Sequence, residues 1–73
     1  MSRLKIISTF KMCSLLEGID FRSIRQKGSH RYYKHDDGRT TVVPIHPGDL
    51  DRALIRKILI DIDMTIDEYN KMV

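Results

Sequence analysis

The sequence predicts a two-layer α+β domain, a three-stranded antiparallel sheet with helices on one face, in the order α-β-β-β-α plus a short C-terminal helix. Apolar residues recur at three- and four-residue spacing near both ends of the chain, the period of amphipathic helices. The middle third instead holds short alternating or β-branched runs divided by glycine-bearing turns, the pattern of a β-meander. A meander has one apolar face to bury, and two helical stripes suffice to cover it.

Taken in order, Ser8 offers a side-chain oxygen to cap orphan amides, and Phe10, Met12, Cys13, Leu15 and Leu16 follow helical spacing from about Thr9 to Glu17. Ile7 can staple the entry, and Gly18 is expected to take the left-handed conformation that closes the helix. Phe21 to Gln26 and His30 to His35 read as a hairpin around Lys27-Gly28-Ser29. Asp36-Asp37-Gly38-Arg39 is a second turn, and the β-branched Thr40-Thr41-Val42-Val43 is a third strand ending near Pro44. Ile45-His46-Pro47-Gly48-Asp49 is a breaker-rich loop in which Pro47 pushes His46 into an extended conformation. Leu54, Ile55, Ile58, Leu59 and Ile62 form the strongest amphipathic helix. Thr65-Ile66-Asp67-Glu68 matches a capping box, with Tyr69 and Met72 of the last helix expected to turn inward.

Seventy-three residues leave room for one hydrophobic core, so residues 1–73 read as a single domain. A chain with 41% hydrophobic and 32% charged residues is globular in composition. No apolar run approaches the ~20 residues of a membrane span, and the opening Met1-Ser2-Arg3-Leu4-Lys5-Ile6-Ile7 lacks the apolar stretch of a signal peptide, so a cytoplasmic protein is expected. The lone cysteine, Cys13, lies in a helical pattern and reads as a small core residue. Six Lys/Arg residues between Arg22 and Arg39 face only Asp36 and Asp37, a local net of +4, whereas from Asp49 onward the balance is −2. Clustered cations gain by displacing counterions from phosphates, and a polyanion-binding surface in the middle third follows.

Three histidines, His30, His35 and His46, have unperturbed pKa values near neutrality, about 6.5. Their spacing matches no recognised zinc-ligand pattern, so no metal or other cofactor and no small-molecule ligand is expected. His35 enters a turn and reads as a solvated turn residue, with a phosphate contact as the alternative. His46 either packs its loop or touches substrate. His30 stands apart, presented at a strand end just after the Gly28-Ser29 turn, with Arg25, Lys27 and Arg31 around it. RNA cleavage needs an activated 2′-hydroxyl, stabilised phosphorane charge and a protonated leaving oxygen. A neutral imidazole can act as the base, and Lys27, Arg31 and Lys34 as cations aimed at developing charge. Ser29 lacks an orienting acid and reads as a turn residue rather than a nucleophile.

Arg25-Gln26-Lys27-Gly28-Ser29-His30, then Tyr33-Lys34-His35-Asp36-Asp37-Gly38-Arg39 and Val42-Val43-Pro44-Ile45-His46, resemble the HicA (YcfA-type) toxins. The opening Arg3-Leu4 through Ile7-Ser8 and Leu54-Ile55-Arg56-Lys57-Ile58-Leu59 are similar to the same family, so the resemblance covers essentially the whole chain. It implies a fold like the double-stranded-RNA-binding domain, an mRNA-cleaving toxin with its catalytic histidine at His30, and a HicB-type antitoxin as partner. Two departures stand out. Asp61-Ile62-Asp63 occupies the place of a small Ala-Gly pair after the second helix, and Arg31 follows the key histidine where many members have a second histidine. The general acid is left open among His35, His46, Lys34 and water.

The reading is therefore a metal-independent endoribonuclease with His30 as catalytic base and Arg25, Lys27, Gly28, Ser29, Arg31 and Lys34 binding RNA. A non-catalytic RNA-binding module of the same fold is the rival, since a double-stranded-RNA domain reads shape and 2′-hydroxyls without cutting. A helix-turn-helix DNA binder, which would need a basic exposed reading helix, ranks third.

Overall fold

The computed structural model describes residues 3–73. Met1 and Ser2, which begin the segment expected to lack the apolar stretch of a signal peptide, lie outside the described residues. Ser8 opens α1 (Thr9–Gly18), its hydroxyl accepting from Lys11 N at 3.1 Å and satisfying one orphan amide of the first turn. Ile7 and Met12, at the two staple positions, are both buried. The helix closes differently from expectation, because Gly18 is its last helical residue and the left-handed residue is Asp20, at φ 71°. Phe21 N donates to Leu16 O and Asp20 N to Glu17 O, the paired bonds of a Schellman motif, whose left-handed position lies two residues beyond the last helical one. Phe10 also departs from the apolar stripe and is 59% exposed, while Met12, Cys13, Leu15 and Leu16 are buried.

Three antiparallel strands follow, β1 (Arg22–Lys27), β2 (His30–Lys34) and β3 (Thr40–Pro44), side by side in that order. Their bounds fall within a residue of those read from sequence. The register shifts between Ser23 and Arg25, so Ile24 is the extra residue of a bulge and stays exposed. Every residue of β1 is exposed. The meander's apolar face is consequently carried by β2 and β3 alone, through Tyr33, Thr41 and Val43.

Asp51 caps α2 (Arg52–Asp61), accepting from Leu54 N at 2.8 Å, and Ile55, Ile58, Leu59 and Ile62 are buried as their spacing predicts. A second Schellman pair, Met64 N to Leu59 O and Asp63 N to Ile60 O, ends this helix with Asp63 at φ 57°. Thr65 and Glu68 then form both bonds of the expected capping box at the start of α3 (Ile66–Met72). Tyr69 is fully buried, its hydroxyl donating to Lys5 O, but Met72, expected inward, is 47% exposed at the chain end.

Tyr33 Oη reaches Glu17 Oε2 of α1 at 3.4 Å, and Thr41 Oγ1 donates to Asp61 Oδ2 of α2 at 2.9 Å. Tyr33 and Thr41 are opposite each other in the register and point to one face, so both helices lie on that face. The result is the expected α+β architecture, with one core on the helix side and the other sheet face open.

Candidate active site

Since Tyr33 points to the helices, alternation turns its neighbours His30, Tyr32 and Lys34 to the open face. Cross-strand pairing brings others beside them. Lys27 is opposite His30, Arg25 opposite Tyr32 and Arg22 opposite Lys34 on one side, with Pro44 and Val42 opposite His30 and Tyr32 on the other. The Arg25 guanidinium lies 4.6 Å from the Tyr32 ring centroid, within cation–π range.

The hairpin that presents His30 depends on Gly28. It takes φ +59° while Ser29 does not take positive φ, the pattern of a two-residue turn with glycine first. An added Cβ there would meet nothing within 4 Å, so glycine is needed for its backbone freedom and not for space. The tip is tied on both sides. Gln26 Nε2 donates to Gly28 O at 3.2 Å, and Ile45 N donates to Ser29 O. His30 is exposed at the start of the central strand, and its side chain makes no hydrogen bond or ion pair among the described residues.

Arg31 does not join this group. It faces the helix side, with Nε donating to Gln26 Oε1 at 3.0 Å and its guanidinium 4.0 Å from Cys13 Sγ. A hydrogen bond with Tyr33 raises its pKa further above the ordinary arginine value, while burial pushes the Tyr33 phenol up to about 12. Two more of the six cations are engaged at the other end of the sheet, Arg22 with Asp36 at 2.6 Å and Arg39 with Asp37 at 2.8 Å. Arg25, Lys27 and Lys34 remain on the open face with no acidic partner among the described residues. Ser29 is exposed at the hairpin tip.

The other histidines differ from His30. His35 is packed rather than solvated, since its Nδ1 accepts from Asp37 N at 3.1 Å and its ring meets Phe21 edge-on at 5.1 Å. His46 is exposed in the loop after β3, with Nδ1 2.9 Å from Pro47 O. Cys13 is a buried free thiol, as expected. Among the described residues no three His, Cys, Asp or Glu side chains are grouped to hold a metal. Tyr32 was not singled out from sequence, although the period of two from His30 marks it as a neighbour on the same face.

Chemically, the open face offers an imidazole and three cations without acidic partners among the described residues, and an aromatic ring, on one exposed surface. A surface cavity of about 280 Å³ is lined by Leu59, Ile60, Met64 and Ile66 with Arg56 and Thr65, away from the sheet. An exposed cationic surface with an aromatic ring suits an extended polyanion better than an enclosed small molecule.

No curated protein matches the chain. Residues 11–64, from the first turn of α1 to beyond the end of α2, match the family described as the HicA toxin of bacterial toxin-antitoxin systems. That span takes in the whole sheet, the Gly28-Ser29-His30 turn, most of α1 and all of α2. The chain belongs to the HicA toxin family.

Proposed function

We propose that this toxin is a metal-independent endoribonuclease that cuts mRNA in the cytoplasm, with His30 as general base. The observation that carries the reading is His30 itself, exposed and unpartnered on a face shared with Arg25, Lys27 and Lys34. Neutral imidazole takes the proton of a 2′-hydroxyl, O2′ attacks the adjacent phosphorus, and the bond to the 5′ oxygen breaks. The products are a 2′,3′-cyclic phosphate and a 5′-hydroxyl. Because the nucleophile belongs to the substrate, no metal-bound water is required. Lys27, directly across from His30, stabilises charge on the phosphorane, while Arg25 and Lys34 hold neighbouring phosphates. Tyr32, braced by Arg25, is available for base stacking. Gly28 and Ser29 shape the tip that meets the backbone. Arg31, engaged with Gln26 and beside Cys13 and Tyr33, supports the strand that carries His30 from behind.

Family membership supports an antitoxin partner, and a HicB-type protein covering the open face would inhibit by occupancy. A complex in which the partner sat only on the far side of α2, leaving His30 uncovered, would contradict that mode of inhibition. The enzymatic reading is tested by incubating labelled RNA with wild-type and His30→Ala protein, each with and without chelator. Wild-type cleavage that survives chelator and leaves a cyclic phosphate is expected. Binding without cleavage by both proteins would instead favour the non-catalytic RNA-binding module.

A further inference from the structure

The proposed reaction assigns the base but leaves the departing 5′ oxygen without a proton donor. A second imidazole lies on the same face. Pro44 is opposite His30, and Ile45 N donates to Ser29 O, so the chain leaving β3 runs on past His30 instead of turning away. β3 ends at Pro44, and its in-out alternation continues through the next two residues. Thr41 and Val43 are buried and Ile45 packs against the core, whereas His46 is exposed. His46 therefore falls on the open face two residues beyond the partner of His30. Such diagonal neighbours have Cα atoms roughly 7–8 Å apart, within reach of one another's long or ring side chains. Two imidazoles at that spacing can address opposite oxygens of one phosphodiester.

The loop that holds His46 is pinned at several points. Thr9 Oγ1 donates to Pro44 O at 3.1 Å, Thr9 N to Gly48 O at 3.2 Å and Leu50 N to Ile7 O at 2.9 Å, and Ser8 forms a bridge with Asp49. Pro47 restricts His46 to extended backbone. A carbonyl can only accept, so the 2.9 Å contact with Pro47 O assigns a proton to His46 Nδ1 and leaves Nε2 as the atom that gains or loses one. Lys27, opposite His30 in the register, and Asp49, three residues beyond His46 along the loop, are the charged residues closest to this end by strand register and chain position.

We infer that His46 is the general acid of the site, an assignment that rests on the ribonuclease reading above. As His30 takes the 2′-hydroxyl proton and O2′–P forms, His46 Nε2–H donates its proton to O5′ while P–O5′ breaks. His30 ends protonated and His46 neutral, and exchange with solvent restores both.

The test uses purified protein and an RNA oligonucleotide with one scissile linkage, made either with the natural 5′ oxygen or with sulfur in its place. A thiolate leaves without being protonated. His46→Gln and His46→Asn should cut the natural linkage about 10²-fold or more slowly and the sulfur linkage within a few-fold of wild type. His30→Ala should be slow on both. Unchanged melting and RNA affinity are expected for the His46 variants, because the side chain is exposed. The assignment is overturned if they cut the natural linkage as wild type does, or are equally slow on both linkages. Should His30→Ala be inactive while His46→Gln stays fully active, only this inference falls. Wild-type protein that cuts neither substrate removes the ribonuclease reading and this one together.

Discussion

The two turns of the meander are built from similar residues and do opposite things with them. At the β2–β3 turn, His35, Asp36, Asp37 and Arg39 find partners within the protein. Asp37 accepts from Arg39 N at 3.0 Å and from its guanidinium at 2.8 Å, His35 packs on Phe21, and Arg39 stacks on the same ring at 5.1 Å while donating to the Ile62 carbonyl. At the β1–β2 turn, the backbone is tied down but Lys27, Ser29 and His30 present their side chains to solvent. Charge held by charge contributes to the fold. Charge held by rigid backbone and left unpaired is available to a ligand, and only the β1–β2 turn offers that.

The largest effect that can break this contrast is at Phe21, which is 1% exposed and supports both His35 and Arg39. Phe21→Ala should cost about 3–5 kcal/mol by urea denaturation, as large-to-small core changes do. A loss below about 1 kcal/mol would mean that the β2–β3 turn is not anchored as described.

A paired comparison sharpens the contrast further. Arg39→Ala should lose about 1–2 kcal/mol of stability, through hydrogen bonds and ring packing. Lys27→Ala should leave stability within about 0.5 kcal/mol. RNA binding should respond in the reverse order. Lys27→Ala should weaken affinity and reduce the slope of log K against log salt by about 0.7 for a single strand. Equal salt slopes in the two variants would erase the distinction between the turns.

Smaller still is the effect at the end of α2, where Asp63 occupies a left-handed position next to the carbonyl that Arg39 reaches. Asp63→Gly relieves the Cβ crowding and should stabilise by about 0.5–1 kcal/mol in thermal melts, less any loss from greater unfolded-state freedom. RNA cleavage should not change. A destabilised variant would show that Asp63 makes a contribution beyond its backbone conformation.

The smallest is a pH effect to which the partnered turn contributes. The backbone amide of Arg39, then its side chain, hold the Asp37 carboxyl below the usual carboxylate range. Its contribution is fully present above the unfolded value, near 3.9, and is lost as pH falls through the lower folded value. Glu68, lowered chiefly by the Thr65 amide, acts in the same direction. Denaturation from pH 5 to 2 should show a shallower acid loss for Asp37→Asn than for wild type, and identical curves would dismiss the turn's ionic role.

Much of the architecture was legible because periodicity reports burial directly. The stripe at Ile55, Ile58, Leu59 and Ile62, the capping box at Thr65 and the hairpin at Gly28 all stand where spacing and turn chemistry put them. Local pattern failed where a neighbour decides the outcome. Gly18 invited a left-handed cap, yet the Schellman bonds fall one turn around Phe21 and put that conformation on Asp20. Phe10 and Met72 fit an apolar spacing but stay exposed to solvent. The candidate site was half visible in the same sense. His30, Lys27 and their turn are local, whereas the side of the sheet on which Arg31 falls depends on strand register across the meander.

The central claim is that the unpartnered imidazole at the β1–β2 turn does chemistry and the packed one at the β2–β3 turn does not. Cleavage of a labelled RNA by wild-type, His30→Ala and His35→Ala proteins, in chelator and at equal folded concentration, measures it directly. Loss of about 10²–10⁴-fold for His30→Ala, with cyclic phosphate ends from wild type and near-normal cleavage by His35→Ala, is the expected result. Wild-type rates from His30→Ala would contradict it.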